Sequence, residues 1–386
     1  MTPGAIPMLA WPAVCGRRLA RHGLAVPVAR QRLVEQVGIM CGAHAQVMAA
    51  AELSIGLRVA GVTRQDVRRA LWEDRTLVKT CGPRGTIHLF PSADLPQWCG
   101  ALASAPPPNK QAVGVRLSDE QTDQVVEAIA DALVDAELTV EELGERVTER
   151  TGPWAAERVL PAFQENRPRW QQAIQTAAFR GALCFGPNRG RRTTYTNPAT
   201  WLPGFAPMEG GPAGAEVVRS FLRAYGPASV AQIGQWLNVP LGWVRARCEA
   251  LGPELEAVRL EGEEAWVLAG DTAVDEPAQG VRLLPYFDAY GVGAHPRPLV
   301  FPGIAAERAL ANNQAGTVPV LLVDGVVAGV WHQRRTGRRL AVTVEPFGRL
   351  SARRRRELDD QVARIGEILE ATPELTIGAV TAGGHL

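Results

Sequence analysis

Three times along this chain, a set of helical runs closes in two short β-rich runs around a glycine turn. In the first set, Arg30 to Met40 repeats apolar residues at helical spacing (Leu33, Val37, Met40). Cys41-Gly42-Ala43 interrupts it, Val47 to Val59 resumes a helix, and Thr63-Arg64-Gln65-Asp66 carries a helix-start signal. Leu77 to Cys81 and Thr86 to Phe90 then flank Gly82-Pro83-Arg84-Gly85. The second set runs Ser118 to Asp135, a helix starting at Thr139, and Trp170 to Arg180. It closes with Ala182 to Phe185 and Thr193 to Thr196 around Gly186 to Arg192. The third comprises Ala215 to Tyr225, Val230 to Leu237 and Leu241 to Leu251, then Leu255 to Leu260 and Ala265 to Ala269. An isolated hairpin is marginal in water, so each pair of strands must pack on its own helices.

Helices followed by a hairpin in this order predict a winged helix. The expected fold class is therefore α+β: three tandem winged-helix units, a C-terminal β-rich hairpin region and a terminal helix. The unit limits read as 1–104, 105–202, 213–270 and 281–386. Ala105-Pro106-Pro107-Pro108-Asn109 reads as a linker, and a Gly/Pro-rich stretch from Pro203 to Gly214 separates the third unit. In the last segment, Val281 to Tyr290, Val318 to Val323, Val326 to Gln333 and Leu340 to Val344 are β-rich. Asp324-Gly325 is a two-residue hairpin signal. Arg334-Arg335-Thr336-Gly337-Arg338-Arg339 is a second tip, with four arginines able to reach phosphates and base edges; the alternative is a solvated turn. Ser351 to Glu370 reads as the terminal helix.

His44-Ala45-Gln46 lies in the break between the first two helical runs. On extended backbone, residues i and i+2 point the same way, whereas on a helix they diverge. His44 and Gln46 are thus expected to project together into one concave basic surface and hold one water, with Ala45 turned inward. The plain alternative is a pair of loop polar residues that cap the next helix.

From Arg30 to Trp98 the chain resembles the AlkZ/YcaQ-like family of winged-helix DNA glycosylases. That family carries Gln-Φ-Gln or Gln-Φ-Asp at this place and a wing reading R-G-T-hydrophobic-H-L. Arg84-Gly85-Thr86-Ile87-His88-Leu89 matches the wing, and Gln46 matches the motif, while His44 stands where Gln is usual. The resemblance extends more weakly through Leu283-Leu284-Pro285-Tyr286-Phe287-Asp288 to Pro346-Phe347. It implies alkylation and crosslink repair, of the kind used in antibiotic self-resistance, and a C-terminal hairpin that helps grip the DNA. It assigns catalysis to the positions of His44 and Gln46. The gripping hairpin is either Asp324-Gly325 or Arg334 to Arg339; the second is chemically better suited, which gives Arg84, Arg334, Arg335, Arg338 and Arg339 as the expected DNA-binding residues.

Charge is uneven along the chain. The four segments carry net charges of about +6, −3, −5 and +3, giving +1 overall. If the basic ends meet across a cleft, they form a local positive surface for phosphates on a near-neutral protein. All but Lys79 and Lys110 of the 41 basic residues are arginines. An amine nucleophile is thus scarce, which favours a water-only, monofunctional reaction over a Schiff-base lyase. The six cysteines have no CxxC spacing and read as free thiols in a reducing cytoplasm, with no zinc site and no cofactor. No membrane span is expected.

These readings predict a monomeric, monofunctional DNA glycosylase acting on double-stranded DNA that carries N7-alkylated guanine. Alkylation at N7 makes the base a cationic leaving group, so the enzyme need only stabilise an oxocarbenium-like sugar and position water. Gln46 can orient that water. A neutral His44 can hydrogen-bond it and accept its proton, which predicts an activity loss below about pH 6.5. The competing class is a winged-helix transcriptional regulator without catalysis, although three dissimilar fused units suit an asymmetric monomer better than a symmetric dimer.

Overall fold

The computed structural model describes residues 6–106, 112, 114–162, 165–273 and 276–381. Pro107, Pro108 and Asn109 of the expected linker lie outside these, as does Lys110. The chain is α+β, with helices and several small sheets alternating along it.

In the first set, helices Leu33–Ile39, Met48–Arg58 and Arg64–Trp72 precede strands Leu77–Cys81 and Ile87–Pro91. Thr63 and Asp66 start the third helix with a reciprocal capping box. The break between the first two helices forms a short strand, Ala43–His44, which pairs with Ile87–Pro91 and completes a three-stranded sheet. Gly42 makes that entry feasible. It stands at φ +89°, and a Cβ there would lie 2.5 Å from the Phe90 ring.

The second set repeats the order. Helices Asp119–Ala132, Val140–Thr151 and Ile174–Phe179 accompany strands Glu137–Thr139, Cys184–Arg189 and Arg192–Thr196. Ser118 and Thr139 cap the first two helices, again in capping boxes. In the third set, helices Gly210–Tyr225, Val230–Leu237 and Leu241–Leu251 precede strands Leu255–Leu260 and Glu263–Leu268. A single bridge from Ala228 to Trp266 replaces the short first strand. The N-terminal strand Met8–Leu9 adds in parallel beside Leu255–Leu260. Helix Trp11–Arg21 shares a core with Val258, Leu284, Tyr290 and Val330.

The last segment builds a five-stranded sheet in the order Val281–Leu284, Val320–Val323, Val326–Thr336, Arg339–Pro346, Thr372–Ile377. Helix Ala352–Leu369 packs on it. Two features differ from the sequence expectation. The β-rich reading of Val281 to Tyr290 holds only to Leu284, because the Asp288 side chain caps a short helix, Ala289–Gly293. The strand after the terminal helix was not anticipated, since Thr372-Pro373-Glu374 lacks a strand pattern.

Helix Met48–Arg58 joins the two ends of the chain. Its Leu53 and Leu57 share a core with Trp331, Ile365, Ile368 and Leu369. The approach is close, since a Cβ on Gly56 would stand 2.6 Å from Ile368. Arg364 donates to the carbonyls of Gly56, Val59 and Val62. The first and last segments are therefore packed against each other.

Candidate active site

Ala43 and His44 are strand residues, and Ala45 continues the pairing by donating to the Ile87 carbonyl at 2.7 Å. The expected alternation is not kept: His44 is buried like Ala45, at 8% and 1% exposed, and Gln46, in the bend after the strand, emerges exposed. The Gln46 amide is tethered from the same neighbour: its Oε1 accepts from the Ile87 N–H at 3.4 Å. That contact is long, and it leaves Oε1 a second lone pair and the NH2 group two donors.

His44 is held differently. Its ring stacks on Phe287, with centroids 4.5 Å apart and planes 19° from parallel. The edge of His88 meets it at 5.0 Å. His88 stacks in turn on Phe90, and Phe90 on Trp98, so one side of the imidazole is backed by an aromatic ladder running into the core. The ladder needs Gly82, where a Cβ would come within 2.6 Å of the His88 ring. His88 Nδ1 lies 3.0 Å from the Thr86 carbonyl.

The electrostatics of His44 follow from this packing. Burial, with a smaller contribution from the Arg84 charge, pushes its pKa down to about 3. His44 Nδ1 is buried without a hydrogen-bond partner. The ring is therefore neutral at physiological pH, and no carboxylate or carbonyl stabilises an imidazolium through Nδ1. The predicted activity loss below about pH 6.5 is corrected by this environment: nothing near His44 favours a charged ring.

Arg84, only partly exposed, is engaged within the protein. At φ +63° in the turn between strands Leu77–Cys81 and Ile87–Pro91, its guanidinium turns inward, donates to the Trp236 carbonyl and lies 5.7 Å from that indole ring. Burial pushes its pKa down to about 10. Arg84 thus ties the first set of elements to the helix Val230–Leu237. Sequence spacing could not reveal this, because the partner is distant in the chain.

At the C-terminal hairpin the strands Val326–Thr336 and Arg339–Pro346 run in register to the tip, where Thr336 faces Arg339. Arg334, Arg335, Arg338 and Arg339 are all exposed. Arg335 is partly committed, donating to the Leu369 carbonyl at 2.7 Å at the end of the terminal helix. Arg334 lines a surface recess with His332, Thr343 and Val380. In the Arg353 to Arg356 run, Arg353 and Arg354 pair with Glu357, and Arg355 with Asp359.

The residues missed by the sequence are those that join segments. Arg58 and Ser54, on the helix after the motif, bind Asp288 with contacts of 2.7–2.8 Å. Asp288 follows Phe287, so this buried pair fixes the segment that stacks on His44. The pattern Leu283 to Asp288 was visible in the resemblance, without a role. Lys79 lies over Phe185 at 4.9 Å, against the second set. Among the described residues, no group of histidines, cysteines and carboxylates could hold a metal, and the six cysteines are free. No helix there is long and apolar enough to cross a membrane.

Comparisons with known proteins agree with one another. The family model described as "DNA glycosylase AlkZ-like" matches residues 37–368. A curated protein of Streptomyces sahachiroi, named an interstrand DNA cross-link repair glycosylase, is 33% identical over 338 residues, spanning 83% of this chain and 87% of that one. The solved structure of the Streptomyces sahachiroi DNA glycosylase AlkZ superimposes with a TM-score of 0.79 at 28% identity, covering 96% of this chain and all of that one.

Proposed function

This chain belongs to the AlkZ-like family of DNA glycosylases, hydrolases of N-glycosyl bonds, and from that premise we propose that it excises N7-alkylated guanine from duplex DNA through His44 and Gln46. The observation that carries the reading is local. His44 at the strand end and the exposed Gln46 in the bend after it flank the buried Ala45, and both are tied to the strand Ile87–Pro91, His44 by pairing opposite His88 and Gln46 through the Ile87 N–H.

Their hydrogen-bonding capacities are complementary. An unpaired buried N–H costs more than an unpaired lone pair, which favours the tautomer with the proton on Nε2 and the lone pair on the orphaned Nδ1. In that form His44 donates to the water oxygen, and Gln46 Oε1 accepts one of its hydrogens. One lone pair of the water is then left to attack the anomeric carbon as the bond to the cationic base breaks; the base leaves neutral, and the proton shed by the new hydroxyl passes to solvent. His44 acts as an orienting donor, so a histidine here does the work of an amide. An N7-alkylated guanine leaves without protonation, which suits a site with no acid.

We read the three helix-and-hairpin sets as tandem winged helices, with the unit limits given above. The three-stranded sheet that repeats in the first two sets, and the bridge that replaces its short strand in the third, support this. The exposed tip arginines Arg334, Arg338 and Arg339 are the cations we assign to the DNA backbone. The enzyme is read as a monomer, and the named relative extends the candidate substrates to interstrand crosslinks. A regulator without catalysis is disfavoured by the family. The test is incubation with a duplex containing 7-methylguanine, reading free base and alkali-labile abasic sites. Release by the wild type and its loss in Gln46→Ala support the assignment; equal release by both removes it.

A further inference from the structure

Phe287 reaches His44 at a backbone cost. It stands at φ +54°, a conformation that bulky L-residues seldom adopt. The surroundings hold it there. Its N–H donates to the Gly316 carbonyl at 2.8 Å. Gly316, at φ +110°, comes so close that a Cβ would stand 3.1 Å from the Phe287 ring. The following residue, Asp288, is locked to Arg58 and Ser54 on the helix that starts just after the motif. A conformation fixed from three directions and ending in a ring stack invites a functional explanation.

His44 has a corresponding need. A histidine acting on a substrate usually has its second nitrogen held by a carbonyl or carboxylate, which sets ring plane and tautomer. Here Nδ1 has no such partner. What holds the ring is Phe287 against its face and His88 at its edge.

We propose that Phe287 is a positioning residue for the glycosylase reaction, fixing the plane of His44 by stacking where other enzymes use a hydrogen bond. The proposal rests on the reading that His44 contacts the attacking water. Losing the stack lets the imidazole turn about its side-chain bonds, so the water is aligned for a smaller fraction of the time. The Arg58–Asp288 pair acts one step behind, as the anchor of the loop.

A double-mutant cycle tests this with a 7-methylguanine duplex under single-turnover conditions. Phe287→Leu should slow excision by about five- to thirtyfold when residue 44 is histidine. In the His44→Gln background the same change should cost less than about twofold, because glutamine offers no ring to stack. Phe287→Tyr, which keeps the aromatic face, should restore the rate. DNA affinity should stay constant through the series. NMR of the His44 ring nitrogens should show one neutral tautomer in the wild type and an averaged pair in Phe287→Leu, without turnover. Should that variant not fold, Phe287→Met takes its place. An equal slowing in both backgrounds, or unchanged His44 resonances, overturns the proposal. If His44→Ala excises at the wild-type rate, the catalytic reading of His44 fails, and the positioning role falls with it even where the NMR still shows the clamp.

Discussion

Arg58 and Asp288, from opposite ends of the chain, meet in the interior through two hydrogen bonds of 2.8 and 2.7 Å, with side chains 0% and 2% exposed. Burial pushes the Asp288 carboxyl up. The Arg58 charge, with hydrogen bonds from Arg58, Ser54 and the Tyr290 N–H, outweighs this and holds it below the usual carboxylate range. Its stabilising contribution is therefore present above the unfolded pKa and is lost as pH falls through the lowered folded value.

Asp288→Ala leaves Arg58 charged and alone in the core. The expected cost is about 3–5 kcal/mol, because an unpaired buried charge is worse than either a pair or none. Urea unfolding at neutral pH measures it. A loss under about 1 kcal/mol would mean that water or another group compensates Arg58.

Buried histidines set a second pH dependence. Burial, foremost, holds His22, His44 and His295 at about 3 each; Arg58, Arg84 and Arg297 are the next contributors respectively. These folded values lie below the unfolded one, near about 6.5. The unfolded chain thus takes up protons first as pH drops. Stability from each histidine is complete above about pH 6.5 and drains away toward pH 3, at up to about 1.4 kcal/mol per pH unit. Thermal melting should fall steadily between pH 7 and 5, and His44→Gln should shed one histidine's share of the slope. Excision by the folded enzyme should stay flat over that range. An excision midpoint near pH 6.5 that disappears in His44→Gln would restore the general-base role.

The hairpin arginines should divide into two kinds. Arg334→Ala, Arg338→Ala and Arg339→Ala together should weaken DNA binding and reduce the slope of log K against log salt by about 2–3, close to 0.9 per phosphate contact. Arg335→Ala should instead lower stability modestly, since its guanidinium serves the Leu369 carbonyl at the helix end. Fluorescence anisotropy across a salt series reads the first effect and melting the second. An unchanged salt slope in the triple variant would make the tip a solvated turn.

What was legible in the sequence was local chemistry. Ser118 signalled its helix as an N-cap, Thr139 and Thr63 theirs through helix-start patterns, and all three form capping boxes. The extended reading of His44-Ala45-Gln46 holds for the His44 backbone and the inward Ala45, but His44 is buried as well and Gln46 stands in a bend. What was not legible depends on partners far away in the chain. An arginine side chain is long enough to turn either way, and Arg84 turns to Trp236 because burial against the third set is available to it. The His44 environment was invisible for the same reason: Phe287 approaches from the C-terminal segment, and its stack, with the burial it brings, decides that the histidine is neutral.

The central claim is that His44 and Gln46 together orient the hydrolytic water. The direct measurement is the single-turnover rate of free-base release from a 7-methylguanine duplex by wild type, Gln46→Ala, His44→Ala and His44→Gln, with duplex affinity measured alongside. Each alanine change should lower the rate by about ten- to a thousandfold while affinity and melting hardly change, the scale of one positioning group. His44→Gln should be milder, because an amide also offers a donor. Wild-type rates in both alanine variants would contradict the account and move the active site elsewhere on the DNA-facing surface.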